Sequence, residues 1–171
     1  MSGFFEIKPA ELKGNPFEMI GKQWMLITAK KDDKINTMTA SWGTLGVIWN
    51  KNVATIYVRS ERYTKEFIDN TERFSLTFFS ENYRKELSYL GMISGKYENK
   101  IEKAGLTIEE ENGVPYFKEA ELVIICRKLY AQDLDKEAFE DIPTANKNYV
   151  DNNFHTMYIG EIEKILTKCD K

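Results

Sequence analysis

Asn36-Thr37-Met38-Thr39-Ala40-Ser41-Trp42, followed downstream by Arg59-Ser60-Glu61-Arg62-Tyr63-Thr64-Lys65, is the stretch from which the organisation of this chain is read. Its first half is small and hydroxyl-rich, ends in an indole, and reads as a turn. Its second half sets two guanidinium groups and a hydroxyl at the expected start of a helix, with Thr64 as the N-cap. A helix start presents unpaired N–H groups and a dipole that favours anions. Arginine adds a fork of charged donors, and Thr39 and Ser41 can bond the polar edge of a ring. Together the two halves suit a phosphate tail attached to a flat ring. Each also has a plainer explanation, a turn entering an ordinary strand for the first and a solvated charged loop for the second.

Short β-branched and aromatic runs surround this pair. Residues 23–29 (Gln-Trp-Met-Leu-Ile-Thr-Ala), 52–59 and 73–79 read as strands, and the charged cluster 30–34 as a solvated turn. Residues 65–70 and 82–92 read as short helices, 94–96 as a loop, and 99–104 as a helical piece closed by Gly105. The segments 106–108 and 116–117 flank a turn at Asn112-Gly113-Val114-Pro115, and 120–129 is a long strand. Polar residues 134–153, with Pro143, form an excursion over the surface before a final strand over 155–165. Strands outnumber helices and do not alternate with them, and G-x-G-x-x-G is absent, so the pattern argues against a Rossmann domain. It predicts a mainly β fold, a closed antiparallel barrel with short helices outside.

A length of 171 residues fits one domain over 1–171, and 42% hydrophobic with 30% charged residues is globular composition. The net charge of −3, with no basic tail, argues against nucleic acid as a partner. Charge or Gly interrupts every apolar run, so no membrane span is expected. The N-terminus lacks a basic region followed by an apolar block, which makes the cytoplasm the expected location. Cys126 and Cys169 form no disulfide framework and are expected as reduced thiols. His155 is the sole histidine, so neither a Ser-His-Asp triad nor a zinc site has its residues, and no metal is expected.

Three motifs in order, N-T-M-T-A-S-W at 36–42, V-R-x-x-R-Y-T at 58–64 and H-T-M-Y-I-G-E-I at 155–162, resemble the flavin reductase-like family of FMN-binding split barrels. The resemblance extends from about residue 21 to 166 and implies a split β-barrel of Greek-key type with FMN as cofactor. It implies that Asn36, Thr39, Ala40, Ser41 and Trp42 line the flavin ring. Arg59, Arg62, Tyr63 and Thr64 would hold the phosphate, although many relatives have Pro where this chain has Ser60. Ser94, Gly95, Lys96 and Lys100 resemble a family segment that approaches flavin and phosphate, and a Gly turn explains the first two equally well. His155 matches a histidine near the flavin or the nicotinamide. A satisfied structural histidine is its plainer reading.

The implied activity is hydride transfer from NADH or NADPH, a transient co-substrate, to FMN. The isoalloxazine does this chemistry itself, which accounts for the lack of an acid–base constellation. The alternative is a non-enzymatic, flavoredoxin-like FMN carrier served by a redox partner protein. A third reading is a bare scaffold taking haem through His155. The family also implies a homodimer with flavin near the interface, and three Trp, nine Tyr and ten Phe are compatible with one.

Overall fold

The computed structural model describes residues 3–168, so Cys169 lies outside the described residues. Among the described residues there are ten strands: β1 (Phe4–Ile7), β2 (Met25–Lys31), β3 (Lys34–Ala40), β4 (Gly43–Ile48), β5 (Lys51–Arg59), β6 (Arg73–Phe78), β7 (Ile108–Glu111), β8 (Val114–Phe117), β9 (Leu122–Asp133) and β10 (His155–Lys168). The helices are α1 (Pro16–Glu18), α2 (Tyr63–Asp69), α3 (Arg84–Met92), α4 (Lys100–Lys103) and α5 (Ile142–Asn148). The fold is mainly β with short helices. Its principal sheet runs β3-β2-β6-β9-β10-β5-β4, with β1 paired to β10, and every pairing is antiparallel. β7 and β8 form a separate hairpin.

The two ends of this order, β3 and β4, are consecutive in the chain and joined by Ser41 and Trp42 alone. Six strand spacings on a flat sheet separate its edges by about 29 Å, whereas the three Cα steps from Ala40 to Gly43 reach about 11 Å. The sheet therefore curls until its ends approach at Ser41-Trp42.

Side chains of period two serve two cores. Met25, Ile27, Ile56, Phe74, Ile124 and Tyr158 join one cluster. Leu26, Val123 and Ile125, their immediate neighbours, join another with Leu87 and Leu90 of α3 and Phe117 of β8. Burial on both faces explains why β2 and β9 read as continuous apolar runs rather than alternating ones.

Several local expectations change. Residues 36–40, expected as a turn, lie within β3, where they pair with β2, and only 41–42 remain a link. The fold needs an edge strand there, and long-range pairing overrides local turn composition. Arg62, not Thr64, stands at the N-cap of α2 and makes no side-chain cap bond, while Thr64 is buried in the first turn. The turn at 112–115 is confined to Asn112 and Gly113, with φ of 51° and 80°, and Val114 and Pro115 already belong to β8. The excursion 134–153 is only partly superficial, since Ala145 and Tyr149 are buried.

Candidate functional site

The ends of β3 and β5, the start of α2 and the turn after α3 meet in one groove. One part, a cavity of about 270 Å³, is lined by Thr39, Ala40, Ser41, Trp42, Tyr57, Arg59, Arg62 and His155. A second part, sharing Arg62, is lined by Asn36, Tyr63, Thr64, Ser94, Gly95 and Lys100. A third runs from Thr39–Ser41 to Trp24, Ser88, Gly91 and Met92. Every candidate from the sequence lines this groove except Lys96, which is exposed and whose backbone N–H donates to Ser94 Oγ.

The side chains do different work. Asn36 is buried and donates from Nδ2 to Thr64 Oγ1 at 3.0 Å. This bond occupies an acceptor site of the Thr64 hydroxyl and leaves its hydrogen available to a ligand oxygen. Asn36 also lies so close to Gly95 that a Cβ there would overlap its Oδ1. Thr39, by contrast, donates its hydroxyl to the Leu87 carbonyl, and Gly91 lets α3 approach, since a Cβ there would lie 3.1 Å from Thr39 Cβ. Trp42 is exposed, with its ring centroid 4.9 Å from that of His155.

Arg59 donates to the carbonyls of Asn148 at 3.0 Å and Asn153 at 3.3 Å, with Asp151 3.8 Å away. The Arg62 guanidinium makes no hydrogen bond or ion pair to any described residue, and burial lowers its pKa, partly opposed by Glu61. Lys100 is only 3% exposed, and its Nζ donates to the carbonyls of Leu90 at 2.7 Å and Ile93 at 2.8 Å. Burial, with Arg62 adding repulsion, brings its pKa down to about 8. The two cations thus share the second part of the groove with the exposed Glu61, which acts on Arg62 but forms an ion pair with neither.

His155, 8% exposed, begins β10 opposite Arg59, and its Nδ1 lies 2.8 Å from the Tyr149 hydroxyl. Burial, aided by the charge of Arg59, lowers its pKa to about 4, so the ring is neutral at pH 7. Cys126 is fully buried and its thiol pKa is pushed up, as a structural residue requires. No group of acidic, His or Cys side chains suited to a metal occurs among the described residues.

Tyr57, Gly91, Met92 and Tyr149 were not singled out from sequence. Tyr57 was within reach, because the period of two in β5 sets it on the face of Arg59. The others depend on helix docking and on the return of the excursion, which have no local signal.

Residues 18–171 match the model of the flavin reductase like domain, and the chain belongs to that family. An uncharacterised protein of Archaeoglobus fulgidus is 28% identical over 132 residues, 76% of this chain, which spans 64% of that relative's length. Among solved structures, an FMN-binding domain of a flavin reductases-like enzyme from Shewanella baltica is similar with a TM-score of 0.70, at 15% identity over 96% of this chain and 77% of its own. A flavoredoxin from Methanosarcina acetivorans has a TM-score of 0.64, at 23% identity over 84% of this chain and 67% of its own. At these identities the structural likenesses establish the fold alone.

Proposed function

We propose that this chain binds FMN in the groove and passes hydride to it from NADH or NADPH. The observation that carries the reading is the couple of Arg62 and Lys100, neither in an ion pair with a described carboxylate, at one end of a groove floored by Thr39–Trp42. A buried Lys100 and a half-buried Arg62, with only the exposed Glu61 nearby and no ion pair to it, favour a bound anion. The Thr64 hydroxyl, held by Asn36 with its hydrogen available, gives the phosphate one more donor beside them. Ser94 and Gly95 complete that end, while Asn36, Thr39, Ala40, Ser41 and Trp42 bound the space toward the ring. The flavin, when bound, supplies the hydride chemistry. The protein's share is to hold, orient and shield, with His155 placing the nicotinamide beside Trp42.

The curling sheet supports closure into a split barrel, and one 1–171 domain suffices for the whole site. Exposed Val47, Ile48 and Trp49 on and beside β4 support a homodimer. No described helix is long and apolar enough to cross a membrane; the cytoplasm stays the proposed location. The resemblance to a flavoredoxin keeps an FMN electron carrier, reduced by a partner protein, as the second reading.

Titration of FMN with micromolar protein tests the first claim: quenching of flavin fluorescence is expected, and its absence rejects FMN binding. Bleaching of the bound flavin by NADH or NADPH is expected next. Flavin reduced by dithionite but by neither nicotinamide assigns the protein to the carrier class.

A further inference from the structure

Tyr149 belongs to none of the sequence motifs, yet the excursion 134–153 is built around it. Its ring stacks on Phe154 with centroids 4.4 Å apart and an interplanar angle of 18°, and Phe139 meets it at 5.8 Å. Its N–H donates to the Ala145 carbonyl at 2.9 Å. The Arg59 guanidinium lies 5.5 Å from the ring centroid and clasps the carbonyls of Asn148 and Asn153 on either side. So fixed, the hydroxyl reaches His155 Nδ1 at 2.8 Å.

We propose that Tyr149 is a positioning residue that donates its O–H to His155 Nδ1, fixing the neutral imidazole as an Nε2–H donor toward the groove, where it selects a ligand carbonyl oxygen. The direction of the bond follows from what each alternative leaves unmet. Either direction leaves one donor without a described partner: with Nδ1–H donating it is the buried Tyr149 hydroxyl hydrogen, and with the phenol donating it is the Nε2–H of His155, a residue that lines the groove where a ligand can meet it. A buried donor without a partner costs about 1–3 kcal/mol. Imidazole nitrogen is also the better acceptor and phenol the better donor. Burial, and after it nearby Arg59, disfavours the imidazolium, and the phenol stays protonated because burial raises its pKa. Nε2 bonds to no described residue, and His155 lines the groove beside Trp42.

The ligand-facing half rests on the proposed FMN and nicotinamide reading. A ring carbonyl of FMN and the carboxamide of a nicotinamide both present the required acceptor, and the experiment separates them. Because His155 is the only histidine, protein labelled with ¹⁵N-histidine gives a single pair of ring nitrogen resonances. In the ligand-free wild type, Nε2 is expected at the protonated position and Nδ1 at the unprotonated one. Tyr149→Phe keeps the ring and should move both toward a tautomer mixture. Nδ1 protonated in the wild type, or a Tyr149→Phe spectrum identical to wild type, overturns the proposal.

FMN is then added, followed by NAD⁺ to the loaded protein. A shift of Nε2–H with FMN assigns the carbonyl to the flavin, and a shift only with NAD⁺ assigns it to the nicotinamide. No shift with either, in protein that quenches FMN fluorescence, overturns the proposal. Tyr149→Phe should weaken whichever ligand moves Nε2 by about fivefold, the scale of one neutral hydrogen bond. Lack of fluorescence quenching would reject the FMN reading instead. The ligand-free tautomer is read independently of that result.

Discussion

Arg59 and Arg62 stand three positions apart with the same chemistry, but only the Arg62 guanidinium makes no hydrogen bond or ion pair to a described residue. Arg62→Ala is therefore expected to weaken FMN by about 1.5–3 kcal/mol, the range for a charge-assisted bond, and to leave riboflavin binding nearly unchanged. Arg59→Ala releases the 148–153 loop, so it should weaken FMN and riboflavin alike. Fluorescence titration with both flavins makes the comparison, and equal losses for Arg62→Ala would remove it from the phosphate site. Lys100 adds a pH dependence. With its pKa lowered from 10.5 to about 8, it is charged below about pH 8 and loses its proton above. A bound phosphate favours the charged form, so FMN affinity should be full near pH 7 and fall as pH rises through 8, with riboflavin flat. Stability runs the other way. Between about 8 and 10.5 the unfolded chain holds the proton that the folded one has lost, so the flavin-free protein gains stability as pH rises across that window.

At the level of elements, β3, α2 and the turn after α3 are tied at one point. Asn36 bonds Thr64 and touches Gly95, so the three walls of the proposed phosphate end share one buried amide. Gly95→Ala forces its methyl into Asn36 Oδ1, which cannot move without giving up the Thr64 bond. Overpacking of this kind costs about 1–3 kcal/mol, and denaturant unfolding should register it. Because the Thr64 hydroxyl loses its orientation, FMN affinity should fall as well, while Lys96→Ala, on the exposed side of the same turn, should change neither. A Gly95→Ala protein of unchanged stability would mean the turn is not clamped. Thr64 was legible in sequence as a hydroxyl beside the arginines. That it is buried in the first turn rather than capping it was not, because its partner Asn36 lies 28 residues away on another element.

Over the whole molecule, β6, β9 and β10 are successive neighbours in the sheet, packed so closely that Gly160 has no room for a side chain. A Cβ there would lie 2.8 Å from both Cys126 Cβ and Phe74 Cζ. Gly160→Ala should accordingly destabilise the fold by about 1–3 kcal/mol, seen as a lower midpoint in thermal or denaturant unfolding, and a neutral result would show that the core of Phe74 and Cys126 can relax there. Strands β2, β5, β6, β9 and β10 were legible along the chain, because β-branched and aromatic runs state their preference locally. The order of the ring, phosphate and histidine motifs was legible too, and it identified the family. The sequence by itself determined the mainly β class, the family and the set of residue types available for an anion and a flat ring. Only the tertiary structure decided that residues 36–40 are a strand, that Arg62 rather than Arg59 is left unpaired, and that Tyr149 returns to His155. Each of these depends on partners contributed by distant segments, as when Arg59 meets carbonyls 89 and 94 residues further along. Local composition carries no record of such meetings, since they arise only when the sheet curls and the excursion folds back against it.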